Sequence, residues 1–177
     1  MSRFVCALAA CLLSSCSVAQ QVQPDNAAMF AKYPAGPVFH GTPAAPQWSN
    51  PDARMYHTRI QAGVRSGIAF AGHYSIAIWG CGTGCISFAV TDALTGRVTF
   101  FPQSISVINE AGERLTYRKD SRAIHVIGSL NEENSADRWF VWDGKAFNLI
   151  SEKPALLLDD QGNLIPQSRS DEVIRGC

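Results

Sequence analysis

Apolar residues with a helical period mark one segment near residue 50. They occupy every fourth position along it, at Tyr56, Ile60 and Val64. Asn50 is a favoured N-cap residue, Pro51 suits the first helical position, and Gly67 suits a helix end. We therefore predict one amphipathic helix over residues 51–66, packed on the sheet that follows it.

Beyond this helix, short runs of apolar residues alternate with polar ones and are separated by turn sequences. This pattern is typical of strands joined in antiparallel hairpins. The predicted strands occupy residues 69–79, 86–91, 97–101, 114–118, 123–128, 138–142 and 146–150, with a final short pair at 155–158 and 164–165.

The number of predicted strands limits the architecture. Roughly eight or nine strands would fill two propeller blades, whereas a closed propeller needs at least four. The predicted fold class is therefore mainly β (α+β): an antiparallel meander sheet or small roll with one N-terminal amphipathic helix packed on it.

The amino-terminal residues have the layout of an export signal. Arg3 precedes an apolar run over residues 4–13, which is too short to span a bilayer. The sequence Leu-Ser-Ser-Cys that ends at Cys16 resembles a lipobox, whereas Ser-Val-Ala at residues 17–19 suits ordinary cleavage. We expect a signal peptide over residues 1–19, or 1–15 if Cys16 is lipidated, and the lipoprotein is the favoured alternative.

The rest of the chain divides by composition. Residues 20–49 contain five prolines and are expected to form a linker or a strap over the domain, without regular elements. Residues 50–166 are expected to form a single β-rich domain, followed by a polar tail over residues 167–177.

Overall composition supports one domain and excludes one class of partner. The 177 residues are 46% hydrophobic and 17% charged, which suffices for one core. Lysine plus arginine equal aspartate plus glutamate at 15 each, and no basic run stands out. Nucleic acid is therefore not an expected partner. Export favours another envelope or secreted protein, and a lipidated Cys16 would add a membrane tether.

The cysteine count depends on removal of the leader. Of six cysteines, Cys81, Cys85 and Cys177 lie in the expected mature domain. In an oxidising compartment Cys81 and Cys85 are close enough to pair, and the glycines between and before them permit the tight backbone path. Such a small ring stabilises a fold by only about 2 kcal/mol, so it would mainly shape the loop. Cys177 is then either free or bonded to one of the other two.

Alternation along the first predicted strand separates two faces. One face carries Tyr74, Ile76 and Ile78, which we expect in the core. The other face carries His73, Ser75, Ala77 and Trp79. This second face either lines a groove or is structural, with His73 hydrogen-bonded in the sheet and Trp79 packed under the loop.

Two motifs in the same region carry a family resemblance. Residues 70–74 read F-A-G-H-Y and residues 79–85 read W-G-C-G-T-G-C. Together they resemble an F-A-G-H-Y … W-G-C-G-x-x-C signature of a family of uncharacterised bacterial secreted or envelope proteins. The resemblance covers residues 67–101, about the middle third, although Ala69 stands where the family has asparagine. It implies a place in the cell envelope and no particular activity.

Three function classes are compatible with these residues. The favoured one is a non-catalytic binding module, of the inhibitor or immunity type, that uses the stapled glycine and cysteine loop, with His73, Trp79 and Thr83 as binding candidates. The second is an enzyme with Cys81 or Cys85 as nucleophile or redox thiol and His73 as base. No catalytic residue is assigned, because C-x-x-x-C differs from the redox motif with two intervening residues.

The third class is a carrier of a metal or small ligand. Its ligands would be His73, His125, Cys81 and Cys85, but their spacing matches no familiar zinc pattern. A disulfide would also consume both thiols. We therefore assign neither a metal nor a cofactor.

Overall fold

The computed structural model describes residues 24–106, 110 and 112–165. The predicted signal peptide, the lipidation candidate Cys16 and the polar tail with Cys177 lie outside the described residues. None of the helices within the described ranges is long and apolar enough to cross a membrane.

Eight strands and three helices make up the described chain. The helices are α1 (Pro24–Lys32), α2 (Pro51–Met55) and α3 (His57–Arg65). The strands are β1 (Tyr74–Gly82), β2 (Cys85–Asp92), β3 (Val98–Phe100), β4 (Ile105–Ser106), β5 (Leu115–Tyr117), β6 (Ala123–Leu130), β7 (Ser135–Trp142) and β8 (Phe147–Pro154).

All eight strands belong to one antiparallel sheet. Its main order is β1-β2-β4-β6-β7-β8, while β3 pairs with β2 and β5 pairs with β6. The predicted hairpins β1–β2, β5–β6 and β7–β8 are all present. The prediction of a mainly β, α+β fold is confirmed.

The predicted helix over residues 51–66 is divided into α2 and α3 at Tyr56. The Asn50 side chain accepts a hydrogen bond from the Ala53 amide at 2.6 Å, which confirms the predicted N-cap. Tyr56 leaves the helical conformation, with φ −95° and ψ 16°. Its ring stacks on Trp79 of the sheet at 4.5 Å, so the break lies where the helix meets the sheet.

Helix α1 lies within the segment expected to lack regular elements, so that prediction was wrong for residues 24–32. Pro24 occupies the first helical residue, where its missing N–H removes no helical bond. Phe30 is buried, with its ring 5.0 Å from that of Trp139 on β7. Burial of the Phe30 ring against the sheet stabilises α1, although the proline content of this segment predicted no helix.

Residues 34–48, which we call the strap, then run across the domain. Four backbone hydrogen bonds join the strap to turns of the sheet: Ala35 N to Asp120 O at 2.9 Å, and Phe39 N to Gly72 O, Ala44 N to Ala93 O and Gln47 N to Gly96 O, each at 2.8 Å. These bonds fix the strap to the domain at four points along its length.

Three strand predictions needed correction. Strand β1 begins at Tyr74 instead of residue 69, because Phe70 and Tyr74 exchange backbone hydrogen bonds around a tight turn. Strand β4 was not predicted. The last predicted pair is reduced to a single bridge between Leu158 and Leu164.

The sheet curls around an aromatic core. Tyr74 on β1 lies 5.5 Å from Trp142 on β7, and Phe88 on β2 lies 5.6 Å from Phe147 on β8, between ring centroids. These strands are not neighbours in the sheet, so its inner face must close on itself to form the main core. On the outer face, α2 and α3 cover β1 to β3, and α1 covers β6 and β7.

Candidate functional site

The β1–β2 hairpin ends in an exposed tip closed by a disulfide. Residues 80–84 are all exposed, and Cys81 and Cys85 are bonded with their Cα atoms 5.2 Å apart. This confirms the predicted pair. Gly84 has φ 68°, a left-handed conformation that favours glycine in the turn. The tip thus has a covalently closed shape and presents Thr83 to solvent.

The tip is also held by neighbouring strands. Arg114, just before β5, donates a hydrogen bond from Nη1 to the Gly84 carbonyl at 3.1 Å. Cys85 pairs with Ser106 of β4 at the base of the tip. The disulfide, the arginine and the strand pairing together restrict the conformations of this loop.

Trp79 lies below the tip and is not an exposed aromatic. It is 6% exposed, stacks on Tyr56 and meets the edge of Phe100 at 5.8 Å between ring centroids. The outer face of β1 is therefore filled by helix packing. Ile78, expected in the core, is instead 41% exposed.

Trp79 nevertheless borders a shallow cleft of about 350 Å³ between α2 and the β2–β4 region. Asp52, Ser87 and Gln103 also line this cleft. The indole Nε1 is buried and has no hydrogen-bond partner among the described residues. Trp79 was predicted as a binding candidate, but its buried ring contributes mainly to packing between the helices and the sheet.

His73 lies at the opposite end of β1 from the tip. Its Nε2 is 3.8 Å from a carboxylate oxygen of Asp92, whose side chain also accepts bonds from the Leu94 amide and the Thr95 hydroxyl. Eight residues separate His73 from Cys81, which corresponds to about 26 Å along an extended strand. His73 therefore does not share a site with Thr83 or the cysteines.

This arrangement gives no support to the Cys/His enzyme. A cysteine nucleophile needs a free thiolate within hydrogen-bond reach of its base, whereas both sulfurs are bonded to each other. Nor do the suggested metal ligands assemble: the described part of the chain contains no group of three or more His, Cys, Asp or Glu residues that could hold a metal ion.

A second polar site lies on the outer face of the sheet, under α1. His125 of β6 is 3% exposed, and its Nε2 lies 2.8 Å from a carboxylate oxygen of Asp137 on β7. Its ring stacks on Trp139 with centroids 4.4 Å apart and planes at 14°. Because both partners are on adjacent paired strands, the sheet itself holds the histidine in position.

His125 forms part of the floor of an open cleft of about 320 Å³, which we call the α1 cleft. Its other lining residues are Asn26, Ala27 and Phe30 of α1, with Glu113, Thr116 and Arg118 on or beside β5. Arg118 forms an exposed two-point ion pair with Asp120, at 2.8 and 2.6 Å, and lies over the Phe30 ring.

Charges and burial near the cleft shift the pKa values of two neighbouring side chains. The hydrogen bond from Arg118 lowers the pKa of the Asp120 carboxyl. Burial raises the pKa of Tyr117, and the negative charge of Glu113 raises it further. The region therefore combines a cation, an anion and a buried imidazole.

From the sequence, His125 is predicted only as a candidate metal ligand, and its pairing with Asp137 is not predicted. One signal was available, because His125 is a polar residue between Ile124 and Val126 in a predicted strand. Polar residues in such positions require a partner when they are buried. The partner lies on the next strand but became apparent only from the strand register.

No protein-family model, curated protein or solved structure matches this chain.

Proposed function

We propose that this protein is an exported, non-catalytic binding module that recognises another envelope or secreted protein through the β1–β2 hairpin tip. The observation that carries the proposal is the exposed tip, which is closed by the Cys81–Cys85 disulfide and held by Arg114. A loop that is already restricted loses little conformational entropy when it binds.

The chemistry of the tip indicates the shape of the partner. Residues 80–84 contain three glycines and no charged side chain, so the tip offers backbone groups and the Thr83 hydroxyl. A narrow, neutral hairpin end of this kind suits insertion into a concave site that surrounds the backbone. This geometry favours an inhibitor-like or immunity-like interaction over broad electrostatic docking.

Site-specific photo-crosslinking tests the tip directly. A photoreactive amino acid at position 83 should form a discrete adduct with one partner in intact cells. The matched control carries the same group at Lys145, an exposed position in the β7–β8 hairpin. Adducts at both positions, or at neither, would contradict recognition through the tip.

A second variant tests the role of the disulfide. Cys81→Ser with Cys85→Ser should leave the domain folded, because the ring contributes only about 2 kcal/mol. The adduct from position 83 should nevertheless decrease severalfold, since the open loop must become ordered on binding. Undiminished crosslinking would show that restriction of the tip is not required.

Export is the remaining part of the proposal. Intact mass of the mature protein distinguishes a chain lipidated at Cys16 from one that begins at Gln20. Labelling of thiols before and after reduction shows in the same experiment whether Cys177 is free. A full-length chain that retains residue 1 would overturn export.

A further inference from the structure

The α1 cleft contains features that core packing alone does not require. The outer face of the sheet around it is apolar, with Phe30, Ala123 and Trp139 forming a buried cluster. His125 places a buried polar ring beside this cluster, bonded to the partly exposed Asp137, and burial of a polar group is costly unless it is satisfied. An apolar residue at position 125 would pack there without that cost.

The hydrogen bond to Asp137 determines what the histidine offers to a ligand. An ionised carboxylate only accepts hydrogen bonds, so Nε2 of the neutral imidazole carries the proton and Nδ1 is an acceptor. Trp139 covers one face of the ring. The imidazole makes no second hydrogen bond to the residues that the structure describes. Since His125 lines the α1 cleft and Nε2 is bonded to Asp137, Nδ1 is the ring nitrogen to which a ligand in the cleft would donate.

Opposite charges at the cleft restrict the charge that a ligand can carry. Glu113 supplies a negative charge, and Arg118 supplies a positive one whose Nη1 is not used by the two bonds to Asp120. Asn26 and Thr116 are neutral groups that both donate and accept. A simple anion would meet Glu113, and a simple cation would meet Arg118. The pattern favours a ligand that itself carries both charges.

Cleft size and its apolar wall agree with a small molecule. A volume of about 320 Å³ is at the lower end of the range for small-molecule sites. Ala27 and Phe30 provide an apolar wall along α1, against which a short aliphatic side chain would fit.

We propose that the α1 cleft binds a free amino acid or a small zwitterion of the same class. The ligand's ammonium group donates to Glu113 and to Nδ1 of His125, and its carboxylate faces Arg118. Asp137 acts as a positioning residue that holds the imidazole in the accepting tautomer. This site is separate from the hairpin tip, and its existence does not depend on the tip's partner.

Titration with defined probes tests the proposal. The folded protein is titrated separately with each of the twenty L-amino acids, and the His125 ring signals are followed by NMR. At least one amino acid should bind saturably and shift those signals. For that amino acid, the matched carboxylic acid and the matched amine should each bind at least about tenfold more weakly, because each lacks one charged hydrogen-bonding group.

Two pairs of variants separate binding from folding. His125→Gln should abolish saturable binding, whereas His73→Gln, which alters the other histidine–aspartate pair, should leave it unchanged. Glu113→Gln should weaken binding about tenfold, whereas Glu133→Gln should not. Glu113 is exposed, so its variant remains informative even if His125→Gln does not fold.

Three outcomes would overturn the proposal. The first is that no amino acid shifts the His125 signals saturably at concentrations up to about 10 mM, well above the range of specific sites. The second is equal affinity for the amino acid and its singly charged analogues. The third is retention of full affinity by Glu113→Gln.

Discussion

At the scale of single residues, Ser121 joins α1 to the sheet. Its side chain is buried, and Oγ lies 2.8 Å from the Phe30 carbonyl and 2.9 Å from the Tyr33 carbonyl. The same oxygen accepts a hydrogen bond from the Ala123 amide at 3.1 Å. One hydroxyl thus satisfies backbone groups at the end of α1 and at the start of β6.

Ser121→Ala should therefore destabilise the domain by about 1–3 kcal/mol, since it removes the hydrogen bonds of the hydroxyl to buried backbone groups of α1 and β6. Urea unfolding measures the change. Ser66→Ala is the control, because the Ser66 hydroxyl is exposed and bonds only within its own helix, to the Ala62 carbonyl. Equal effects of the two substitutions would show that Ser121 does not hold α1.

Gly96 lies at a close approach of the strap to the sheet. Its φ is +77°, and a Cβ at this position would overlap the Ala45 carbonyl. Gly144 also has a positive φ, +95°, but has open space around it. Both positions therefore require a left-handed backbone, but only Gly96 lacks room for a side chain.

Gly96→Ala and Gly144→Ala should both lose about 1–2 kcal/mol from left-handed backbone strain. Gly96→Ala should lose a further 1–3 kcal/mol, about the usual cost of overpacking, because the strap must move. Thermal unfolding of both variants measures the difference. If Gly96→Ala were no less stable than Gly144→Ala, the strap would not be tightly packed at Ala45.

At the scale of elements, the β7–β8 hairpin depends on an aspartate in its turn. Asp143 accepts backbone hydrogen bonds from Ala146 and Lys145 and a side-chain bond from Asn148. These bonds favour the carboxylate and lower the pKa of Asp143, with the Ala146 amide contributing most.

The lowered pKa of Asp143 makes its contribution to stability depend on pH. Because the folded pKa lies below the unfolded value of about 3.9, the carboxylate stabilises the fold above that pH. The contribution is lost as pH falls through the folded pKa. Asp143→Ala should therefore lower the Tm at neutral pH and have little effect in strong acid, as measured by thermal scans.

A control for that experiment is Asp160→Ala, which removes an exposed turn aspartate elsewhere. Its effect on Tm should be smaller at neutral pH, because Asp143 is held by three bonds within its own turn. A difference in Tm between wild type and Asp143→Ala that stayed constant with pH would contradict the role of the carboxylate.

The hairpins were predictable from sequence because their signals are local. Asp143-Gly144 and Thr95-Gly96 are turn sequences next to alternating strands, and both turns are present. Strand β4 was missed because it has only two residues, held by pairing with β2 and β6 on either side. Pairing between distant segments produces no alternation of apolar and polar residues within the strand itself.

The candidate sites also differ in whether a local sequence signal predicts them. The disulfide tip was predictable, since the cysteines and glycines that form it are contiguous. Burial of Trp79 beneath Tyr56 and the pairing of His125 with Asp137 were not, because both depend on tertiary register. Local sequence identified the loop, whereas the α1 cleft required the folded sheet.

At the scale of the whole molecule, one aromatic core joins both ends of the sheet. Phe147 at the start of β8 contacts Trp142 on the neighbouring strand at 4.6 Å between ring centroids. It also reaches Phe101 at 5.4 Å and Phe88 at 5.6 Å, both from the other end of the sheet. Closure of the roll therefore brings the β8 edge against residues of β2 and the segment after β3.

Phe147→Leu should consequently weaken the whole domain and not only β8. Loss of the ring contacts should cost about 1–3 kcal/mol. Since the core is shared, secondary structure followed by circular dichroism and tryptophan packing followed by fluorescence should unfold together, at the same lower denaturant concentration. Separate transitions in the variant would mean that the two ends of the sheet unfold independently, and that the contacts across the roll do not couple them.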